Sequence, residues 1–306
     1  MTTPLRRVAI GRILVGALFG GLALTGGCAP SARVGVAPPT AVVSTSCFDI
    51  SALSPADQRV AEQILLEFGD REGLYTLAGG LKPISSDVRD LQLRIAPTLD
   101  SATLSTMEQQ RRVAAALSCG DIGLTVQVFT ATQRTRDSSE IRNTSMVVFH
   151  RGALRAMVTR YAPFFASLGV TPSTAPQEIL AAVENAPRAA RWRGYGYLFG
   201  YPDVAVDFFV QAGEEGDRTG KLVPRDFRRI ETVYKFASGR DSLSTFVYAV
   251  PKGAAPTADE EQLQQRAAAI LREYRARRAR RVAAESTGAL TLWRAWLTGA
   301  SAPSTR

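Results

Sequence analysis

The side chains able to do chemistry in this 306-residue chain fall into three small groups. Arg71, Glu72 and Lys82 flank the glycine pair Gly79-Gly80. A carboxylate there can act as an acid or base and an ammonium can hold an anion, although an ordinary solvated turn accounts for the same residues. His150-Arg151 stands where a strand is expected to hand over to a helix, and a helix N-terminus attracts anions. A lone histidine also serves purely structural ends. Arg188 to Tyr201 (RAARWRGYGYLFGY) mixes Trp192, Tyr195, Tyr197, Phe199 and Tyr201 with Arg and Gly. Aromatic faces beside arginine can stack on sugars or flat ligands, and core packing at a glycine-punctuated bend explains the same composition. The candidate ligand-binding set is therefore Arg71, Glu72, Lys82, His150, Arg151, Trp192, Tyr197 and Tyr201.

Residue type and spacing exclude several chemistries. A structural zinc site wants about four Cys/His ligands at short spacing, and one His with three Cys offers no such cluster. The Gly-x4-Gly-Lys-Ser/Thr phosphate loop is absent. So are the Gly-x-Ser-x-Gly elbow and the His-Glu-x-x-His pair. A Ser-His-acid triad would have to use His150, and nothing in the sequence places a serine and an acid beside it. No motif calls for a metal or a cofactor, and no catalytic residue is assigned.

The elements that must position these groups can be read from periodicity. Ser54-Pro55-Ala56-Asp57 opens a helix, with Val60, Ile64, Leu65 and Phe68 at helical spacing and Gly69-Asp70 at its end. A second helix is expected from Ser101 to Ser118. Residues 122–132 alternate and are rich in β-branched types, so they read as a strand, as do 144–149. One helix is expected from Arg151 to Leu168, a shorter one over 176–184, and another opening at Pro202. The period-two order of Tyr195, Tyr197, Phe199 and Tyr201 fits one strand face. Residues 228–237 and 243–251 flank a Ser238–Ser242 turn as a hairpin. Helices and strands mix without regular alternation, which predicts an α+β fold: helices on a small, largely antiparallel sheet, with a long basic C-terminal helix.

The N-terminus sets the compartment. Arg6, Arg7 and Arg12 precede Ile13 to Leu24, an uncharged and mostly apolar run of 12 residues. That is short of the ~20 needed to span a bilayer, and the pattern describes a secretory signal. The run ends in Leu24-Thr25-Gly26-Gly27-Cys28. This resembles the lipobox of bacterial lipoproteins, with Thr25 in the position where Leu is commonest. The resemblance covers the N-terminus alone. It implies cleavage before Cys28, a diacylglyceryl group on its thiol, and anchoring to a membrane. Ala29, where a following Asp would signal retention in the inner membrane, implies the outer membrane facing the periplasm. In an exported chain the remaining pair, Cys47 and Cys119, reads as one disulfide, with two buried thiols or a reactive thiol as the alternatives. The expected organisation is a signal peptide (1–27), a lipidated N-terminus and flexible spacer (28–46), a body (47–256), and a basic helix with an aromatic tail (257–306).

Charge is unevenly spread. Lys and Arg number 37 against 28 Asp and Glu, a formal net charge of +9. Residues 251–306 hold ten Lys and Arg against five acids. An apolar stripe of Leu263, Ala267, Ile270, Leu271 and Tyr274 gives way to Arg275, Arg277, Arg278, Arg280 and Arg281, which are expected to project into solvent. Such a cluster serves as a solvated helix end favoured by the macrodipole, or as an attachment to anionic lipid or cell-wall polymer. Export removes nucleic acid as a partner. Leu290 to Leu297 could lie at a membrane interface or cover apolar surface on the body. At 45% hydrophobic and 21% charged, the composition excludes a wholly disordered chain, a collagen-like chain and a polytopic membrane protein. The leading reading is a lipid-anchored envelope protein that acts by binding. The alternative is an exported enzyme with a site around Glu72, Lys82, His150 and Tyr201.

Overall fold

Ser54 starts the first helix as its residue type dictates. Its Oγ accepts from the Asp57 N–H at 3.1 Å, and Pro55 sits in the first turn, where an N–H would have no partner anyway. The resulting α1 (Pro55–Asp70) turns Ile64, Leu65 and Phe68 into the core. The computed structural model describes residues 47–233, 246–281 and 288–299. The signal segment, Cys28 and the 28–46 spacer lie outside the described residues. Among the described residues no helix is long and apolar enough to cross a membrane.

The short α2 (Leu74–Leu77) leads into β1 (Ile84–Ala96). After α3 (Ser101–Ala116), capped by Asp100, the chain forms β2 (Ile122–Arg134) and β3 (Glu140–His150). The three strands make an antiparallel sheet in the order β1-β3-β2. β3 is the central strand, and its side chains alternate between two cores. Met146 and Val148 face one with Tyr75, Phe68 and Trp293, while Val147 and Phe149 face the other with Leu154, Val158, Phe165 and Val183.

The single helix expected from Arg151 to Leu168 is two: α4 (Arg151–Arg160) and α5 (Ala162–Ser167). Pro163 is the cause, because it lacks the N–H that would continue the ladder and its ring crowds the carbonyl of residue 159. The α6 helix (Pro176–Glu184) matches its expected span. The strand face expected over 195–201 is instead α7 (Arg188–Leu198), followed by α8 (Asp203–Thr219). Two glycines explain the helix. A Cβ on Gly194 would stand 2.8 Å from a Val183 methyl, and one on Gly196 would stand 2.8 Å from a Val206 methyl. They let α7 lie close against both α6 and α8, so they serve packing and do not mark a bend.

An antiparallel strand pair stands near the expected hairpin, but its first strand is earlier than 228–237: β4 (Arg225–Ile230) pairs with β5 (Phe246–Pro251), in register from Arg225↔Pro251 to Ile230↔Phe246. Its turn, Ser238–Ser242, lies outside the described residues. A capping box opens α9 (Ala258–Arg281): Thr257 N–H donates to Glu260 Oε2 at 2.8 Å, and Glu260 N–H donates to Thr257 Oγ1 at 3.3 Å. The last described helix is α10 (Gly288–Leu297). Its Trp293 is fully buried and donates from Nε1 to the Leu65 carbonyl at 3.1 Å, so this aromatic segment covers α1.

Cys47 and Cys119 form a disulfide, with Cα atoms 5.2 Å apart across a sequence separation of 72. On the chain-entropy model, closing a loop of this length stabilises by about 4 kcal/mol. The bridge fixes the start of the described chain beside the α3–β2 connection. Arg294 of α10 reinforces it by donating to the carbonyls of Cys47 and Phe48 at 2.9 and 2.7 Å.

Candidate ligand-binding site

On α7 the side chains Trp192, Tyr195 and, one residue past its end, Phe199 follow i, i+3, i+7 spacing and so share a face. That face meets Ala205, Val206 and Phe209 of α8. Across from the helices, β4 presents Arg225 and Phe227 on one face of its pleat, and Val247, Tyr248 and Ala249 of β5 complete the wall. Phe129 of β2, Ser86 of β1 and Tyr201 close the remaining sides. Together they enclose a cavity of about 460 Å³, within the range of small-molecule sites. Among the described residues its lining is aromatic and aliphatic, with Arg225 as its one charged side chain and no carboxylate. Phe209 and Phe227 are 43% and 59% exposed, which leaves the mouth apolar.

The Tyr195 hydroxyl of this wall and the Glu184 carboxylate behind it are already engaged. Tyr195 donates from its hydroxyl to Glu184 Oε2 at 2.6 Å. Glu184, itself buried, also accepts from the backbone N–H and hydroxyl of Thr130 at 2.8 and 2.7 Å. Burial raises the Tyr195 phenol well above its ordinary range, and the Glu184 hydrogen bond raises it further. Burial likewise raises Tyr248, with the Glu260 charge adding to the effect. The Tyr195 and Tyr248 phenols of the lining therefore stay neutral. A neighbouring cavity of about 530 Å³ shares Phe129, Trp192 and Tyr195, and is more polar through Asp90, Glu184 and Arg191.

Phe199 and Tyr201 also belong to a second, closed environment. The Lys82 ammonium, fully buried, lies 2.7 Å from Glu72 Oε2. It stands over the rings of Phe246, Phe199 and Tyr201, at 4.5, 5.1 and 5.8 Å from their centroids. Glu72 and Lys82 are thus brought together, with Tyr201 above them, as an ion pair roofed by aromatic rings. This replaces the solvated turn or open anion site expected at Gly79-Gly80. Lys82 is held there because its N–H donates to the Tyr75 carbonyl at 3.2 Å and because Pro83 follows it.

The other expected site residues scatter. His150 caps α4, its Nδ1 accepting from the Ala153 N–H at 3.2 Å. Arg151 reaches back to the carbonyls of Gly120 and Ile122 and pins the α3–β2 connection. Arg71 is the C-cap of α1. Trp192 and Tyr201 line the aromatic cavity, but Tyr197 points elsewhere: it stacks on Tyr161, with ring centroids 3.8 Å apart. Tyr197 and Tyr201 both border a third, polar cavity of about 410 Å³ with Arg160, Asp203 and Arg266.

The arginines expected to project from α9 are mostly engaged with neighbouring groups. Arg278 makes two contacts with Asp70, at 2.6 and 2.7 Å, where the Tyr274 hydroxyl also donates to that carboxylate. Arg275 lies 3.6 Å from Glu231, and Arg277 pairs with Glu273 while lying 4.5 Å over the Trp296 ring. The Asp70 carboxylate at the end of α1 draws Arg278 inward, whereas Arg275 keeps an exposed side chain as expected. Arg280 is exposed, and the side chain of Arg281 lies outside the described residues.

Sequence reasoning missed Phe129, Phe209, Arg225, Phe227 and Val247 as cavity residues. The helical spacing of Trp192, Tyr195 and Phe199, and the Arg225/Phe227 alternation, carried part of the signal. Among the described residues no group of three or more His, Cys, Asp or Glu could hold a metal ion. Comparison with known protein families, with curated proteins and with solved structures finds no match to this chain.

Proposed function

We propose that this chain is a lipid-anchored cell-envelope protein, held by Cys28 in the outer membrane facing the periplasm, that works by binding an apolar ligand between the α7–α8 pair and the β4–β5 ribbon. The observation that carries the binding role is the aromatic cavity: a concave, nearly uncharged wall whose mouth leaves two phenylalanines in solvent. The anchor is supported by the lipobox-like end of the N-terminal segment at Cys28. The Cys47–Cys119 bridge supports an oxidising compartment.

An enzyme built on Glu72, Lys82, His150 and Tyr201 has less support, since Lys82 is sealed from solvent and His150 is occupied as a cap. Attachment to anionic lipid or cell-wall polymer through the α9 arginines is also weakened. Arg275, Arg277 and Arg278 face acids, which leaves Arg280 as an exposed arginine of the cluster among the described side chains.

Two measurements test this reading. Intact-mass analysis of native protein should show a diacylglyceryl adduct on Cys28, and Cys28→Ser should move the protein to the soluble fraction. Recovery of unmodified Met1 from the cytoplasm would overturn the anchor. A solvatochromic apolar dye should bind the Cys28→Ser protein and be excluded when Ala249→Trp fills the cavity. Equal dye binding by both folded proteins would overturn the site.

A further inference from the structure

We infer that the cavity takes the hydrocarbon chain of a single-chain anionic amphiphile, with the anionic head group at Arg225. The inference rests on the proposed binding site and names its ligand class. The lining supplies rings and aliphatic groups but few available hydrogen-bonding partners, because the Tyr195 hydroxyl already donates to Glu184 and the Tyr248 hydroxyl is buried beside Glu260. A sugar or polar heterocycle would bring groups that find no partner there, and unmade buried hydrogen bonds oppose binding. A hydrocarbon chain brings none. The volume, about 460 Å³, lies in the lower part of the small-molecule range and favours one chain over two.

The sign of the head group follows from Arg225. Among the described residues it is the only charged side chain of the lining. Its Nε donates to the Val223 carbonyl at 3.0 Å, which holds the guanidinium in place, with Cζ 5.9 Å from the Phe208 ring. No carboxylate of the described residues forms an ion pair with it, in contrast to Arg228 on the same strand, whose Nε lies 3.8 Å from Glu260. A half-buried guanidinium at the edge of an apolar wall, facing no acid, favours an anion by charge-assisted, two-point hydrogen bonding. The exposed Phe209 and Phe227 rings then flank the entering chain.

The test compares hexadecanoate with hexadecanol, both kept below aggregation, titrated into the soluble full chain carrying Cys28→Ser. Hexadecanoate should bind at least about tenfold more tightly, the worth of one charge-assisted contact. Arg225→Gln should erase that preference and leave hexadecanol affinity unchanged. Equal affinity for the two compounds overturns the head-group assignment while the cavity remains the site. Because that comparison uses the unaltered Arg225, it holds even if Arg225→Gln folds poorly. Binding of neither compound to protein that still binds the apolar dye overturns the amphiphile. Binding of neither compound nor dye overturns the site itself. Finally, hexadecanoate binding by the Cys28→Ser chain but not by the lipidated protein would place the protein's own acyl chain in the cavity and overturn a free ligand.

Discussion

Two neighbouring environments share the rings of Phe199 and Tyr201. In one, the rings roof a buried ammonium paired with Glu72. In the other, they line an open, nearly chargeless cavity. The aromatic ring is the same group in both, but its contribution differs with access to water. Over Lys82 the ring quadrupole replaces part of the lost hydration of a cation, and the result is stability. Beside the cavity the same hydrocarbon surface is the wall at which we propose a ligand binds, and apolar surface left accessible to water contributes little to folding. The difference teaches that an aromatic cluster in this chain is divided between a closed core and an accessible wall by where the charges lie.

Breaking the closed environment should have the largest effect. Glu72→Gln leaves the buried ammonium uncompensated and should lower unfolding free energy by about 3–5 kcal/mol in urea titration. Combining it with Lys82→Met should recover most of that loss, because the desolvated charge is gone. A Glu72→Gln protein as stable as the parent would mean that Lys82 is not held as the geometry shows. Phe199→Ala removes a ring common to both environments. It should cost about 2 kcal/mol of stability and weaken apolar-dye binding together, by thermal melting and fluorescence titration. A change in only one of the two readouts would separate the environments. Phe227→Ala touches only the open one. With its ring more than half exposed, it should leave stability within about 0.5 kcal/mol while reducing dye affinity.

The α+β class, the α1, α3 and α6 helices, the β4–β5 pairing and the Cys47–Cys119 bridge were legible because each rests on local signals: caps, periodicity, turn residues and cysteine parity. β1 was not. Its register shifts near Val88 break the alternation, and Arg89 takes a φ of 55°. That conformation is held by distant partners, Glu67 at 2.9 Å from the Arg89 guanidinium and the Gln110 amide donating to the Arg89 carbonyl at 3.1 Å. The α7 segment misled because its aromatics satisfy a period of two and helical spacing at once. The choice was made by Val183 and Val206, which need Gly194 and Gly196 beneath them.

From the sequence alone came the composition, the single histidine, the missing catalytic motifs, and an N-terminus resembling a lipoprotein signal, all of them properties of residue identity and short spacing. Only the tertiary structure decided that Lys82 is sealed under three rings, that Arg278 of α9 turns to Asp70, and that residues from β1, β2, α7, α8, β4 and β5 share one cavity. The physical reason is range. Caps and periodicity act over a few residues, whereas burial and charge pairing depend on partners such as Asp70 and Arg278, separated by 208 positions and joined only when the chain folds.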